Sequence, residues 1–157
     1  MQKLTPCLWF DDQAEQAATF YTSLFKDSRI VDVSYYGEAG PGPAGKVLMV
    51  VFELDGQQYQ ALNGGPEYTL TEAFSLSVSC ADQDEVDHFW NLLSEGGEEG
   101  PCGWLKDRFG LSWQVVPTRL GELLGDPDKD RAQRAMAAML KMRKLDIGAL
   151  ERAADGA

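Results

Sequence analysis

A pattern that occurs twice, 70 residues apart, constrains this chain more than any other feature. The first copy begins at residues 12–15 (DQAE) and the second at residues 82–85 (DQDE). Each copy starts with an Asp that can cap a helix, and a Glu three residues later can complete a capping box. Apolar residues follow at helical spacing, and strand-like runs lie on both sides of each helix. The sequence therefore predicts the order strand, helix, three strands, twice.

The strand-like runs give each copy the same set of elements. In the first copy, Asp55-Gly56 separates two of these runs and is a strong signal for a tight hairpin. One copy alone would leave a sheet face open to water, whereas two copies can share that face or wrap it around a cavity. The predicted strands are residues 4–10, 28–35, 46–54 and 57–63, then 73–80, 99–102, 104–107 and 111–117.

The C-terminal tail differs in character from the two repeats. Three helices are predicted there, at residues 118–124, 131–144 and 146–154. The middle helix carries Met136, Met139 and Met142. Such a helix either packs on its own domain or contributes to a subunit interface, because methionine suits adaptable contacts.

Composition excludes several classes of protein. The 157 residues carry 25 acidic and 14 basic side chains, and this formal charge of −11 argues against nucleic-acid and anionic-membrane partners. No apolar run approaches the ~20 residues of a membrane span. Acidic residues come too early for a signal peptide, and three scattered cysteines suit neither a disulfide framework nor a zinc cage. We therefore expect a cytoplasmic protein with reduced thiols.

A single histidine, His88, removes many catalytic mechanisms. It excludes metal sites that need two or more imidazoles. His88 falls on the polar side of the second predicted helix, which is typical of a solvated residue. No Gly-rich phosphate-binding turn is present, so no cofactor is predicted and no catalytic residue is assigned.

Five segments carry a resemblance to a known family. They are residues 5–11 (TPCLWFD), 17–21 (AATFY), 61–66 (ALNGGP), 102–114 (CGWLKDRFGLSWQ) and 139–142 (MLKM). On these segments the chain resembles the vicinal oxygen chelate superfamily, which includes glyoxalases, bleomycin-resistance proteins and extradiol dioxygenases. More narrowly, it is similar to the PhnB-like branch, also filed as 3-demethylubiquinone-9 3-methyltransferase-like.

The resemblance implies an α+β fold in which two βαβββ modules form a cupped mixed sheet, the glyoxalase/bleomycin resistance fold, followed by C-terminal helices. It implies one domain over residues 1–157, with module 1 at about 1–70, module 2 at about 71–117 and a helical tail at about 118–157. Related domains commonly pair, so it also implies a homodimer.

In metal-using members of the superfamily, the first and last strands of each module supply four ligands. The corresponding positions here are Thr5 or Cys7, then Asn63, Ser75 and Gln114. No His or Glu stands at any of them, and neutral amides and hydroxyls bind catalytic divalent ions poorly. We therefore predict no bound metal, and only Asp107 or Cys7 offers a substitute ligand.

Strand alternation, with these positions facing inward, predicts the lining of the cup. The inward set comprises residues 5, 7 and 9, then 59, 61 and 63, then 75, 77 and 79, and finally 112, 114 and 116. Each candidate also has a structural interpretation: core packing for the tryptophans, an inert thiol for Cys7, and a hydrogen bond that seals the cup for Asn63 and Gln114. The predicted ligand-binding residues are Cys7, Trp9, Asn63, Ser75, Trp104 and Gln114.

Three functions are consistent with these sequence features. The first is a metal-free protein that binds a small organic molecule in the cup. The second is an enzyme of the same superfamily, either methyltransferase-like by family label or a metal-independent lyase or isomerase. The third is an interaction module whose cavity has no ligand.

Overall fold

Both halves of the chain contain the predicted order of strand, helix and three strands. The computed structural model describes residues 2–157. They form two units, the first ending at Leu70 and the second spanning Thr71–Ala157. Each unit contains one mixed four-stranded sheet, and the described residues include five helices, so the predicted α+β fold class is confirmed.

The first unit packs one helix against one face of its sheet. The apolar face of α1 buries three alanines and Tyr21, and it packs on β3 and β4 over Val50, Phe52 and Ala61. The sheet order is β1-β4-β3-β2, with β1 parallel to β4 and the other pairs antiparallel. The elements are β1 (Cys7–Phe10), α1 (Ala14–Leu24), β2 (Arg29–Tyr35), β3 (Val47–Leu54) and β4 (Gln57–Asn63).

The hairpin between β3 and β4 confirms the turn signal in the sequence. Asp55 has a φ of 52° and Gly56 a φ of 80°. A two-residue hairpin turn of this kind requires positive φ at both positions, which Asp-Gly accepts at little cost.

The second unit repeats this arrangement and adds three helices. Its sheet order is β5-β8-β7-β6, with β5 parallel to β8, and α2 buries Val86, Trp90 and Leu93. The elements are β5 (Ser75–Cys80), α2 (Gln83–Ser94), β6 (Glu98–Glu99), β7 (Trp104–Lys106), β8 (Ser112–Pro117), α3 (Thr118–Leu124), α4 (Lys129–Met139) and α5 (Ile147–Ala154).

The two repeat helices begin in different ways, and only the second is capped by its predicted Asp. The Asp82 carboxylate accepts the N–H of Glu85 at 2.9 Å, while the Glu85 carboxylate accepts the N–H of Ala81 at 3.2 Å. In α1 the predicted Asp12 cap is wrong, because the N-cap residue is Gln13 and its side chain makes no capping bond. Asn63 of β4 caps this helix instead, since its Oδ1 accepts the N–H of Ala14 at 2.8 Å.

The tail helices form a small core of their own. Met139 and Met142 pack against a buried cluster that includes Leu123, Leu145 and Leu150, so these methionines pack within their own unit. Helix α4 ends at Met139, earlier than the predicted residue 144. The next carbonyls are used elsewhere: Met142 and Arg143 accept the N–H groups of residues 102 and 103 at 2.8 Å. The tail thereby holds the turn that precedes β7.

None of the helices in residues 2–157 is both long and apolar enough to cross a bilayer.

Candidate functional site

On the first strand, Trp9 fixes the turn after β4. Its indole Nε1 donates to the carbonyl of Gly65 at 2.9 Å, and its ring meets Tyr68 edge-on at 5.0 Å between centroids. A Cβ at Gly64 would lie 2.3 Å from the Trp9 ring, so only glycine fits there. This packing gives a structural reason for Gly64 in the ALNGGP segment, and Gly65 has a φ of 94°, which favours glycine.

Asn63 lies on the opposite sheet face from Trp9, so the predicted inward set on β4 is wrong. The parallel register pairs Trp9 with Leu62 and Phe10 with Asn63, and paired residues point to the same side. The residues that share a face with Cys7 and Trp9 are therefore Gln60 and Leu62. Asn63 faces α1 instead, where it caps the helix and its Nδ2 donates to the carbonyl of Val47 at 3.1 Å.

The histidine and two of the cysteines show no sign of an activated nucleophile. Cys7 is exposed as a residue, but the partial burial of its thiol raises the pKa. Burial, followed by the charges of Glu85 and Asp82, raises the pKa of Cys80 to about 11. A reactive thiol needs a lowered pKa, and His88 is exposed on α2, with its ring beside Phe89.

In the second unit the predicted inward residues do share one sheet face. The register pairs Ser75 with Ser112 and Ser77 with Gln114 across β5 and β8. Across β8 and β7 it pairs Gln114 with Trp104 and Ser112 with Lys106. We call this surface the serine face; its residues are Ser75, Ser77, Ser79, Trp104, Lys106, Ser112, Gln114 and Val116.

Gln114 and Ser75 are hydrogen-bonded to each other on the serine face. The Gln114 Nε2 donates to the Ser75 hydroxyl at 3.0 Å. Both side chains are half-buried, whereas Ser77 and Ser79 are exposed. The bond holds the Gln114 amide in a fixed orientation and leaves its carbonyl oxygen available to accept from a ligand.

Ser112 is the residue that the predicted binding set missed. It is only 2% exposed, and its hydroxyl has no hydrogen-bond partner within the described residues. It lines a cavity of about 160 Å³ together with Trp104, Lys106 and Glu72. A buried polar group without a partner is unfavourable, and in proteins it frequently marks a functional site. The Ser112 cavity is therefore the strongest candidate site in the second unit.

The Ser112 cavity has a charged edge. Lys106 stands opposite Ser112, and its Nζ lies 2.5 Å from a carboxylate oxygen of Glu72. The hydrogen bond between these two side chains is the main reason that the pKa of Glu72 is lowered and the pKa of Lys106 is raised.

Asp107 organises the turn that leads into β8. Its Oδ1 accepts the N–H groups of Phe109 at 2.8 Å and Leu111 at 3.1 Å, and its Oδ2 accepts the Trp113 indole N–H at 2.8 Å. At 3% exposure, this carboxylate is committed to the fold. Asp107 therefore does not offer the substitute metal ligand considered from the sequence.

The first unit has a larger cavity, beside the start of α1. It measures about 780 Å³ and lies between Asp12, Glu15, Tyr36, Lys46 and the residues 63–66. Its carboxylates are exposed. The Tyr36 hydroxyl donates to the carbonyl of Asn63 and is therefore already used. We call this space the α1 cavity; unlike the Ser112 cavity, it has no buried side-chain polar atom left unpaired among the described residues.

The residues at the inherited ligand positions do not fit a divalent metal. In the first unit, both polar atoms of the Asn63 amide bond the backbone, and the Cys7 thiol has a raised pKa. In the second unit, Ser75 and Gln114 are neutral and bonded to each other. Nowhere in residues 2–157 do three His, Cys, Asp or Glu side chains form a group that could hold a metal ion.

We expect elemental analysis of protein purified without chelator to find no stoichiometric transition metal. The reason is that the inherited positions offer only neutral donors, which bind catalytic divalent ions poorly. A transition metal that survives dialysis at one equivalent per chain would contradict this prediction.

The architecture defines the class of protein. Mixed four-stranded sheets, each built from a βαβββ module, are the glyoxalase/bleomycin resistance fold of the vicinal oxygen chelate superfamily. The model of a family described as 3-demethylubiquinone-9 3-methyltransferase matches residues 2–116, and the chain belongs to this PhnB-like family. Helices α3–α5 lie outside the matched region.

One solved structure agrees with this family assignment, and a second agrees with the fold. The PhnB protein from Bacillus cereus is 37% identical, with a TM-score of 0.67, over 74% of this chain and 100% of that one. Protein PA1353 from Pseudomonas aeruginosa is 20% identical, with a TM-score of 0.61, over 74% of this chain and 98% of that one. A comparison with curated proteins returned no match.

A more distant neighbour shares the fold alone. The fosfomycin resistance protein FosX from Listeria monocytogenes was solved with Mn(II) and 1S,2S-dihydroxypropylphosphonic acid. It is 14% identical to this chain, with a TM-score of 0.52, over 74% of this chain and 92% of that one.

Proposed function

We propose that this protein binds a small organic molecule on the serine face without a metal. The observation that carries the proposal is Ser112, a residue that lines the cavity and whose buried hydroxyl has no partner within the described residues. A ligand that donates or accepts there would remove the cost of that unpaired group, which is about 1–3 kcal/mol.

The neighbouring side chains suit an organic ligand. Trp104 lines the Ser112 cavity and supplies an aromatic surface. Beside the cavity on the serine face, Gln114 and Ser75 supply polar groups whose positions are fixed by their mutual bond. Small-molecule sites combine apolar surface with a few well-placed polar groups in this way. The proposal keeps Ser75, Trp104 and Gln114 from the predicted binding set and adds Ser112.

A thermal-shift screen in EDTA tests this function. The screen compares a metabolite library with S-adenosylmethionine, which is included because the family description names a methyltransferase. A second series replaces EDTA with divalent metals. We expect at least one organic compound to raise the Tm in EDTA. Stabilisation that appears only with a divalent metal would overturn the metal-free proposal.

Substitution at Ser112 locates the site. Ser112→Val removes the hydroxyl and fills part of the cavity, so it should abolish the ligand-dependent shift in Tm. Ser112→Ala removes the hydroxyl with little risk to packing, and Ser79→Val is a matched control because Ser79 is exposed on the same face. An undiminished shift in both Ser112 variants would place the ligand elsewhere.

We also propose that the protein is a homodimer. Within the first unit, β2 pairs only with β3 and forms an edge of the sheet. Its side chains Ile30 and Tyr35 are exposed, the latter by 58%. An open edge with apolar side chains is typically paired or covered in proteins.

Sedimentation equilibrium at micromolar concentration tests the dimer. We expect twice the mass of one chain, and we expect Tyr35→Lys to weaken the association. A monomer mass for the unsubstituted protein would contradict the proposal.

A further inference from the structure

Acidic side chains outnumber basic side chains around the Ser112 cavity. Lys106 is the one basic side chain of its lining. Glu72 already pairs with it at 2.5 Å, and Glu98 stands opposite it across β6 and β7. Two carboxylates therefore face one ammonium group, and this edge of the cavity carries a net negative charge.

Glu99 also touches this cavity, but its carboxylate is used elsewhere. It accepts the Trp90 indole N–H at 3.0 Å and lies 4.0 Å from the Arg143 guanidinium. Glu98, by contrast, makes no side-chain hydrogen bond and no ion pair within residues 2–157, although its charge acts on Lys106. Glu98 is thus the carboxylate available to a ligand.

The other walls complement a positive group. The Ser112 oxygen can accept an N–H, and Trp104 contributes an aromatic ring to the lining. The face of such a ring attracts a cation. An anion would instead meet Glu72 and Glu98, and the formal charge of −11 disfavours its approach to the protein as a whole.

The size of the cavity limits the ligand. A volume of about 160 Å³ is about that of five water molecules in the liquid. A small amine fits this space, and so does the ammonium end of a larger molecule.

We infer that the Ser112 cavity selects a small organic cation over an anion, with Ser112 accepting from its N–H, Glu98 pairing with its charge and Trp104 covering it. This inference rests on the proposed function, because it assigns a ligand class to the same site. It requires no metal and no covalent step.

Three probes that share one ring test the inference. Benzylamine, benzyl alcohol and benzoate are titrated into the ¹⁵N-labelled full chain in EDTA, and the Trp104 indole N–H and Ser112 backbone N–H signals are followed by NMR. We expect saturable shifts with benzylamine, about tenfold weaker binding of benzyl alcohol, which lacks the charge, and no saturable shift with benzoate.

Charge substitution supplies the matched control. Glu98→Gln should weaken benzylamine binding by about tenfold, while Glu95→Gln, an exposed carboxylate at the end of α2 and outside the cavity, should leave it unchanged. Benzoate binding as tightly as benzylamine, and lost in Ser112→Val, would overturn cation selection and leave the proposed function standing. Absence of shifts with all three probes would also overturn this inference, whereas the library screen judges the proposed function independently.

Discussion

Replacing Asp107 by alanine is expected to lower the free energy of unfolding by about 3–5 kcal/mol, the largest effect we expect from a single substitution. The carboxylate is 3% exposed and accepts from three donors: two backbone N–H groups of its turn and the Trp113 indole. Hydrogen bonds to charged groups contribute about 1.5–3 kcal/mol each, and here the donors would stay buried without an acceptor. Urea unfolding followed by circular dichroism measures the loss.

Two further variants make the Asp107 result specific. Asp107→Asn keeps an oxygen for the turn but gives up one acceptor, so its loss should be smaller than that of alanine. Asp12→Asn changes an exposed carboxylate that makes no capping bond, and it should cost less than about 1 kcal/mol. A loss below about 1 kcal/mol in Asp107→Ala would show that the turn does not depend on this side chain.

Asn63→Ala is expected to destabilise the first unit by about 1–3 kcal/mol, because it removes the cap of α1 and the bond to Val47 together. The Tm should fall accordingly. Affinity for a ligand of the Ser112 cavity should stay unchanged, because Asn63 is not among the residues that line that cavity.

Gln60→Ala is the control for Asn63, since Gln60 lies on the opposite face of the same strand. We expect a loss below about 1 kcal/mol, because Gln60 has no side-chain hydrogen bond within the described residues. Lost ligand affinity with an unchanged Tm in Asn63→Ala would restore the ligand-binding interpretation of this residue.

The fold was largely predictable because its signals are local. The repeated Asp-Gln pattern, the strand periodicity and the Asp55-Gly56 turn each act over a few residues. The serine face was predictable from β5. There Ser75, Ser77 and Ser79 alternate with the apolar Leu76 and Val78, so the sequence separates a polar face of the strand from an apolar face.

Strand β4 gave no such signal, and this is why the position of Asn63 was wrong. Tyr59 and Ala61 alternate with Gln60 and Leu62, so neither side of the strand is consistently polar. The face depends on the parallel register with β1, which joins residues more than 50 positions apart and has no local marker. The cap of α1 depends on the same pairing, because it brings Asn63 to the helix in place of Asp12.

The role of Ser112 also depends on tertiary packing. A serine between Leu111 and Trp113 looks ordinary in the sequence, and only the folded unit shows that its hydroxyl is buried without a partner. Asp107 and Gly110 lie in the turn just before Ser112. The Asp107 carboxylate accepts two backbone N–H groups of this turn, and its carbonyl accepts the N–H of Gly110, which explains why these two residues occupy the turn.

Chemical-shift mapping tests the central claim, that a metal-free ligand site lies on the serine face. The strongest organic compound from the EDTA screen is titrated into the ¹⁵N-labelled chain, and the shift of every assigned amide is recorded. We predict the largest shifts along β6, β7 and β8, centred on Glu98, Trp104 and Ser112. Shifts centred on the α1 cavity, around Tyr36, Lys46 and residues 63–66, would contradict the account.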